Sequence, residues 1–191
     1  MLGRFFGKAA IAIAVLFSLA STAVAQSRVA LVIGNSAYQA APQLKTTAAD
    51  AGLVAETLRG AGYDVTELHD VRQANIGQIM RDFLDKAAAA GPEGVAFLYF
   101  AGYGAQSDGD NYLVPVDAVI NRDAEVPDEA FSLDDLIDEL SKLQLAGRVV
   151  ILERPGRPAR VIRPILRDAR DKLRFQPLRI KEIEAVGAVQ P

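Results

Sequence analysis

The 191-residue chain has no cysteine and a single histidine. Without a thiol it can form no disulfide and offer no cysteine nucleophile; the absence fits an oxidising compartment or ordinary drift. One histidine without cysteine is a poor basis for a metal site, so we expect His69, beside Asp70, to be a solvated loop residue. No G-x-G-x-x-G or Walker pattern accompanies Gly34-Asn35, which makes a nucleotide site a weak hypothesis. We therefore expect no metal and no cofactor.

The first 25 residues have the pattern of a secretory signal peptide. Arg4 and Lys8 precede an apolar stretch from Ala9 to Ala20, and the small residues Ala23-Val24-Ala25 follow. The apolar stretch is short for a membrane span, although a retained N-terminal anchor is the alternative. We expect residues 1–25 to be removed and the protein to be exported, either periplasmic or secreted.

The charge of the remaining chain changes sign after Glu153. Residues 26–153 hold 9 Lys and Arg against 20 Asp and Glu, a net charge of −11. Residues 154–191 hold 10 against 4, a net charge of +6. Half of all residues are apolar, so the length favours one domain with a substantial core. We predict a domain over residues 26–153 and a basic Arg/Pro-rich tail, partly helical or disordered, over residues 154–191.

Apolar runs alternate with segments of helical spacing, which indicates an α/β fold. Continuous apolar runs are typical of strands covered on both faces, and alternation with helices indicates a parallel sheet with right-handed crossovers. Ligand sites in such sheets lie beyond the carboxyl ends of the strands, where Tyr103 and Pro155 fall. The predicted strands are Val29–Ile33, Tyr63–Leu68, Val95–Phe100 and Val149–Leu152.

Helices and one hairpin are predicted between these strands. Asp108-Gly109 predicts a hairpin turn before the run from Tyr112 to Val116, placed near the sheet edge because of Pro115. The predicted helices are one capped by Thr46 or Thr47, with Leu53, Val54 and Leu58 on its apolar face; one with Ile76, Ile79, Met80, Phe83 and Leu84; and one capped by Ser132 with Asp135 and ended by Gly147.

Four segments occur in a recognisable order and spacing: Arg28–Tyr38, Ala49-Asp50-Ala51, Tyr99–Gln106 and Tyr112–Ala118. Together they resemble the large-subunit (p20) domain of bacterial caspase-like peptidases, relatives of the metacaspases in peptidase family C14. The resemblance covers roughly residues 28–153. It implies a caspase-like three-layer α-β-α sandwich with a mainly parallel sheet, which we expect to be truncated after the fourth core strand.

The resemblance also places both catalytic positions of the family, and both are substituted. Tyr103 stands where the family has its histidine, and Pro155 stands where it has its cysteine. Tyrosine, with an ordinary pKa of about 10, is a poor proton shuttle at neutral pH. Proline has neither a nucleophile nor a backbone N–H for the oxyanion. Gly104 can still offer its amide as an oxyanion donor.

Acidic residues are candidates for recognising a substrate. Asp50 matches an acidic position of the family, but an aspartate in a first helical turn is also favoured by the helix dipole. The acidic stretch from Asp123 to Glu139 can recognise basic ligands, as the pockets of related peptidases that cleave after Arg or Lys do, or it can be a solvated helix face. In both cases we favour the structural interpretation, a dipole-stabilising aspartate for Asp50 and a solvated helix face for the acidic stretch.

The 38 residues after Glu153 show no clear strand and helix of the family's small-subunit region. Arginines recur among prolines, and Pro164 to Phe175 predicts a basic amphipathic helix. Such a helix can dock on the acidic domain, lie on anionic lipid, or bind a partner. A partly disordered tail, or a frame-shifted one, is the alternative.

We therefore expect a catalytically inactive caspase-like p20 protein that acts by binding a protein or peptide, as a decoy, scaffold or regulator of active relatives. One alternative is a cysteine-type endopeptidase homologue whose activity is residual or completed by a partner. Another is a membrane-surface or structural protein that acts through its basic tail. No nucleic-acid partner is expected, and the sequence sets no oligomeric state.

Overall fold

The computed structural model describes residues 27–153. The predicted signal peptide and the basic tail, including Pro155, lie outside the described residues. Seven strands of the described range are numbered in chain order, and the main sheet contains β1 (Arg28–Gly34), β2 (Asp64–His69), β3 (Val95–Ala101) and β7 (Gly147–Glu153). These four form one fully parallel sheet in the order β2-β1-β3-β7.

Helices cover both faces of this sheet, which confirms the predicted α/β sandwich. Helix α1 lies on one face, where Ala51 and Ala55 pack against Ala30 and Val32 of β1. Helices α2 and α4 lie on the other face, where the alternate residues of β1 and β3 form the larger core. The helices are α1 (Thr47–Gly60), α2 (Gln73–Ala89), α3 (Val126–Glu129) and α4 (Leu133–Lys142), with a 3-10 turn at Asp123–Glu125.

The predicted hairpin forms, but in a different place. Strands β4 (Gly104–Ser107), β5 (Asp110–Leu113) and β6 (Phe131–Ser132) make a separate antiparallel sheet rather than an edge of the main one. The turn residues Asp108 and Gly109 both have positive φ, 52° and 97°, as a two-residue type I′ turn requires. Pro115 follows β5 and interrupts no ladder.

Of the two predicted helix caps, the one at Ser132 forms and the one at Thr46 or Thr47 does not. Ser132 caps α4, because its Oγ accepts a hydrogen bond from the Asp135 N–H at 3.1 Å. Thr46 occupies the N-cap position of α1 but makes no side-chain cap bond. The hydroxyl of Thr47 instead donates to the Asn35 carbonyl at 2.8 Å, which fastens the start of α1 to the end of β1.

Two other details of the sequence interpretation were wrong. Leu53, expected on the apolar face of α1, is 67% exposed, and the buried face consists of smaller side chains with Leu58. Gly147, expected to end the last helix, opens β7, because α4 already ends at Lys142. Between residues 27 and 153, no helix is long and apolar enough to cross a membrane.

Candidate functional site

Three strands of the main sheet end side by side. In the register of the sheet, Gly34 of β1 pairs with Ala101 of β3, and Ala101 pairs with Glu153 of β7. The residues that follow these strands therefore meet at one edge, where parallel α/β sheets place their ligand sites. Asn35 and Tyr103 are two of them.

Asn35 is fully buried and ties together three segments at this edge. Its backbone N–H donates to the Ala101 carbonyl at 2.8 Å. Its side-chain Oδ1 accepts from the Val71 N–H at 2.9 Å, and its Nδ2 donates to the Val114 carbonyl at 3.3 Å. A buried amide bonded through both ends fixes the positions of the loops that it joins.

Tyr38 is a second buried polar residue of the site. Its hydroxyl accepts a hydrogen bond from the Tyr103 N–H at 2.8 Å and donates one to the Val114 carbonyl at 3.1 Å. Burial raises the pKa of Tyr38 well above its ordinary value, against the opposing effect of the bond from Tyr103. The hydroxyl is therefore protonated at neutral pH and serves as both donor and acceptor.

Tyr103 itself is packed and hydrogen-bonded. Its half-buried ring meets the Tyr38 ring edge to face, with centroids 4.7 Å apart and an interplanar angle of 67°. Its hydroxyl donates to the Pro42 carbonyl at 3.0 Å. Its carbonyl accepts from the Val114 N–H at 3.0 Å. Ring, hydroxyl and backbone thus all hold the loop after β3 in place.

The glycine before Tyr103 is required by close packing. A Cβ at Gly102 would lie 2.6 Å from the Tyr38 hydroxyl and 2.9 Å from the Phe100 ring. Both distances are too short for real contacts, so a side chain here would displace the Tyr38 hydroxyl from its two partners. The packing of Tyr38 against Tyr103 therefore requires glycine at position 102.

Gly104 opens β4 opposite Leu113. Because Val114 bonds to the neighbouring Tyr103 carbonyl, and hydrogen-bonded and non-bonded pairs alternate in antiparallel ladders, the Gly104 N–H is directed away from β5. Its role as an oxyanion donor stays a prediction.

Two carboxylates lie at the same edge of the sheet. Burial raises the pKa of Glu153, and the negative charge of nearby Asp50 raises it further. Asp50 lies in the first turn of α1, where its N–H donates to the Thr46 carbonyl at 2.9 Å. The structure thus places Asp50 near the carboxyl end of β7, and its substrate role remains a prediction.

Four of the eight acidic side chains from Asp123 to Glu139 accept hydrogen bonds from the chain itself, namely Glu125, Glu129, Asp134 and Glu139. Asp134 accepts from both the backbone and the side-chain amide of Asn111. Glu125 accepts from the Asn121 N–H at 2.9 Å, and this bond is the main cause that lowers its pKa. Glu125 therefore stabilises a local turn, whereas Asp134 ties the start of α4 to β5.

His69 ends β2 and is exposed, with its Nε2 3.1 Å from Glu67 Oε1. In the part of the chain that the structure describes, no group of three or more His, Asp or Glu residues is arranged to hold a metal ion.

The sequence places Asn35 and Tyr38 within a family motif but gives them no structural role, and it does not reveal the Val114 carbonyl as their common acceptor. The one sequence signal for this network is that Asn35, a polar residue, directly follows the buried strand β1.

Residues 27–153 match the family model of the caspase domain of the C14 peptidases. Human mucosa-associated lymphoid tissue lymphoma translocation protein 1 is 34% identical over 96 residues, which cover 50% of this chain and 11% of that protein. Its mouse homologue is 33% identical over 98 residues, again 50% and 11%. The chain therefore spans about a tenth of the length of these relatives.

A solved structure shares the fold. The crystal structure of protein GSU0716 from Geobacter sulfurreducens is similar with a TM-score of 0.51 and 23% identity, over 66% of this chain and 48% of that one. By its family match over residues 27–153, the chain belongs to the caspase-domain family.

Proposed function

We propose that this caspase domain has no peptidase activity of its own and acts by binding another protein, as a decoy, scaffold or regulator of active relatives. The observation that carries the proposal is the state of Tyr103. It stands at the family's histidine position, and its hydroxyl already donates to the Pro42 carbonyl while its ring packs on Tyr38. A side chain held in this way supports the structure of the loop and is not positioned to act as a general base.

The nucleophile supports the same proposal. Cysteine peptidases need a thiolate beside a base that passes its proton to the leaving amine. The chain has no cysteine, and residues 154–191 contain no serine, threonine or tyrosine that a shifted alignment could bring to the family's position. Pro155, at that position, lies outside the described residues. A binding role needs none of these groups, because it uses the surface of the fold.

Peptide turnover tests the proposal. The purified chain is incubated with fluorogenic peptides that end in Arg, Lys or Asp, and no turnover above the buffer rate is expected. A matched Tyr103→Phe variant removes only the hydroxyl. Turnover by the unchanged chain that this variant abolishes would contradict the proposal.

The binding half needs its own experiment. An active caspase-domain peptidase from the same genome is titrated with the purified chain, and its kcat/KM is followed. A saturable change in kcat/KM, together with co-elution of the two proteins, is expected for a regulator. If no active relative from that genome shows a change in kcat/KM or co-elutes with the chain, the proposed regulatory function is contradicted.

One observation favours a competing function, a peptidase whose site a partner completes. The Gly104 N–H is directed away from β5, which supports the hypothesis that it can donate to an oxyanion. A double variant, Tyr103→His with Pro155→Cys, tests whether the two substitutions alone account for the expected inactivity. We expect it to remain inactive, whereas turnover by this variant alone would show that only two side chains separate the domain from an enzyme.

We also propose that residues 1–25 export the protein. Their basic start, apolar stretch and Ala23-Val24-Ala25 support this location. Cell fractionation with N-terminal sequencing tests it: a mature chain that begins at Gln26 in the periplasm or medium is expected, and an intact Met1 in the cytoplasm would contradict it.

A further inference from the structure

An apolar cavity lies at the outer edge of the main sheet, between β2 and α2. Its volume is about 190 Å³, and its apolar lining comes from both elements and from β1: Leu31, Leu68, Ile79 and Phe83. Pockets for drug-sized ligands hold about 300–1,000 Å³, whereas an apolar cavity of about 150 Å³ holds one benzene-sized group. The cavity therefore fits a single large apolar side chain.

Three polar side chains complete the lining of this cavity, namely Thr66, Asp82 and Lys86. The Lys86 ammonium is already engaged, since it donates to the Thr66 hydroxyl at 3.1 Å and to an Asp64 oxygen at 3.2 Å. Asp82 accepts a hydrogen bond from the uncharged amide of Gln78 at 2.7 Å, and the ion pairs found between residues 27 and 153 do not include it. The exposed carboxylate of Asp82 can therefore receive a cation.

The strand beside the cavity has an open side. β2 is the outermost strand of the main sheet, and within the described range no strand pairs with its other side. The Asp70 N–H donates to the Gly34 carbonyl at 3.2 Å, so every second residue before Asp70 likewise faces β1. The residues between them direct their N–H and C=O groups outward, where another strand can pair with them: Val65, Glu67 and His69.

Charged side chains often protect such an edge, but the carboxylates of β2 are paired within the chain. Asp64 lies 3.2 Å from the Lys86 ammonium, and Glu67 lies 2.8 Å from the Arg59 guanidinium. Neither carboxylate therefore presents an uncompensated charge to an approaching strand.

One added strand would use both the open edge and the cavity. Leu68 packs against the larger core, so Leu68 and Thr66 point to the face of the sheet that α2 covers. Side chains of neighbouring strands on one face lie about 4.5–5.5 Å apart, so a residue that pairs beside β2 would direct its side chain into the cavity. The residue two positions along the added strand would lie on the same face about 7 Å away, within reach of Asp82 for a long basic side chain.

We propose that β2 receives an extended segment of a partner protein as a fifth strand of the main sheet. One large apolar side chain of this segment fills the cavity, and a basic side chain two residues away pairs with Asp82. The net charge of −11 over residues 26–153 favours a basic segment. This inference rests on the binding half of the proposed function and names the surface that binds.

Fluorescence anisotropy with labelled peptides of about eight residues tests strand addition on the full-length chain. The probe alternates threonine with the test side chains, and it carries leucine and lysine two residues apart on one face. One matched peptide has serine in place of leucine, a second has aspartate in place of lysine, and a third has N-methyl groups on its central backbone amides. Each change should weaken binding about fivefold or more, because it removes a buried apolar group, an ion pair or backbone hydrogen bonds.

Variants of the chain test the cavity and the carboxylate separately. Ile79→Phe fills the cavity and should weaken binding of the leucine peptide about tenfold, whereas Leu53→Phe, at an exposed position of α1, should leave it unchanged. Asp82→Lys should reverse the preference between the lysine and aspartate peptides. Asp138→Lys makes the same charge change at an exposed position of α4 and should leave that preference as it is. Circular dichroism checks that each variant is folded, and the exposed Asp82 variant remains informative if Ile79→Phe does not fold.

Amide hydrogen exchange measured by NMR reports the pairing itself. Binding of the leucine and lysine peptide should slow exchange of the Val65 and Glu67 N–H groups, which point to the open side. The Thr66 and Leu68 N–H groups already face β1, so their exchange should change much less.

Three results would overturn strand addition. Equal binding of the N-methylated peptide would mean that the cavity holds the probe without backbone pairing. Val65 and Glu67 amides that are already protected in the free full-length chain would mean that the edge is covered by the chain itself or, if sedimentation shows a dimer, by a second copy. No binding of any peptide, while the chain still co-elutes with an active relative, would assign the partner to another surface and leave the proposed function intact.

Discussion

Removing one hydroxyl from Tyr38 should loosen the loop that carries Tyr103. In Tyr38→Phe the Tyr103 N–H loses its acceptor at 2.8 Å, and the Val114 carbonyl loses a donor at 3.1 Å. A buried donor left unpaired costs about 1–3 kcal/mol. The carbonyl keeps its bond from Asn35 and loses less. We expect the free energy of unfolding to fall by about 2 kcal/mol.

Urea unfolding followed by circular dichroism measures this change as a shift of the midpoint at constant slope. With a slope of about 2 kcal/mol per M urea, typical of small domains, the midpoint should fall by about 1 M. Tyr103→Phe removes the more exposed bond to Pro42, so its cost should stay below about 1 kcal/mol. Tyr63→Phe, at the residue just before β2, is the matched control for loss of a tyrosine hydroxyl elsewhere.

A Tyr38→Phe midpoint within about 0.2 M of the Tyr63→Phe midpoint would refute this reasoning. It would mean that the Tyr103 N–H finds water or another acceptor, and that Tyr38 does not hold the loop. A changed slope would instead indicate that the two-state assumption fails for this domain.

Three further outcomes follow from the contacts. Asn35→Ala orphans buried backbone groups and should cost about 3 kcal/mol in urea unfolding, whereas an effect under 1 kcal/mol would contradict the network. Ser132→Ala removes the cap bond from Asp135 and should cost about 1 kcal/mol, an amount that Ser132→Asp should largely restore. Glu153→Gln should stabilise the fold at pH 7. The raised pKa means that Glu153 binds its proton more tightly in the folded state, so the ionised side chain lowers the stability of the fold as pH rises above about 4.5. A gain in stability that is as large at pH 4 as at pH 7 would refute that cause.

The main sheet was predictable because β1 and β3 consist of apolar runs that only a doubly covered strand explains. The separate small sheet was not, since the pairing of β5 with β6 joins residues far apart in sequence, and local patterns contain no signal for it. Leu53 was misplaced because apolar type was weighed above angular position, and it lies opposite the buried face formed by Ala51 and Ala55.

The site was predictable in part for a similar reason. Tyr103 could be found because it replaces a residue at a fixed point of a motif, directly after a strand. The Tyr38 hydroxyl could not be placed from the sequence, because its two partners, Tyr103 and Val114, are 65 and 76 residues away along the chain. Only the folded packing shows that Tyr103 is part of a structural network.

The central claim, that this caspase domain performs no peptide hydrolysis itself, is tested most directly by turnover of the peptide panel by the purified chain, with Tyr103→Phe and Tyr63→Phe in parallel. The account predicts that all three proteins match the buffer rate for peptides ending in Arg, Lys and Asp. Turnover by the unchanged chain and by Tyr63→Phe, lost in a folded Tyr103→Phe, would contradict it.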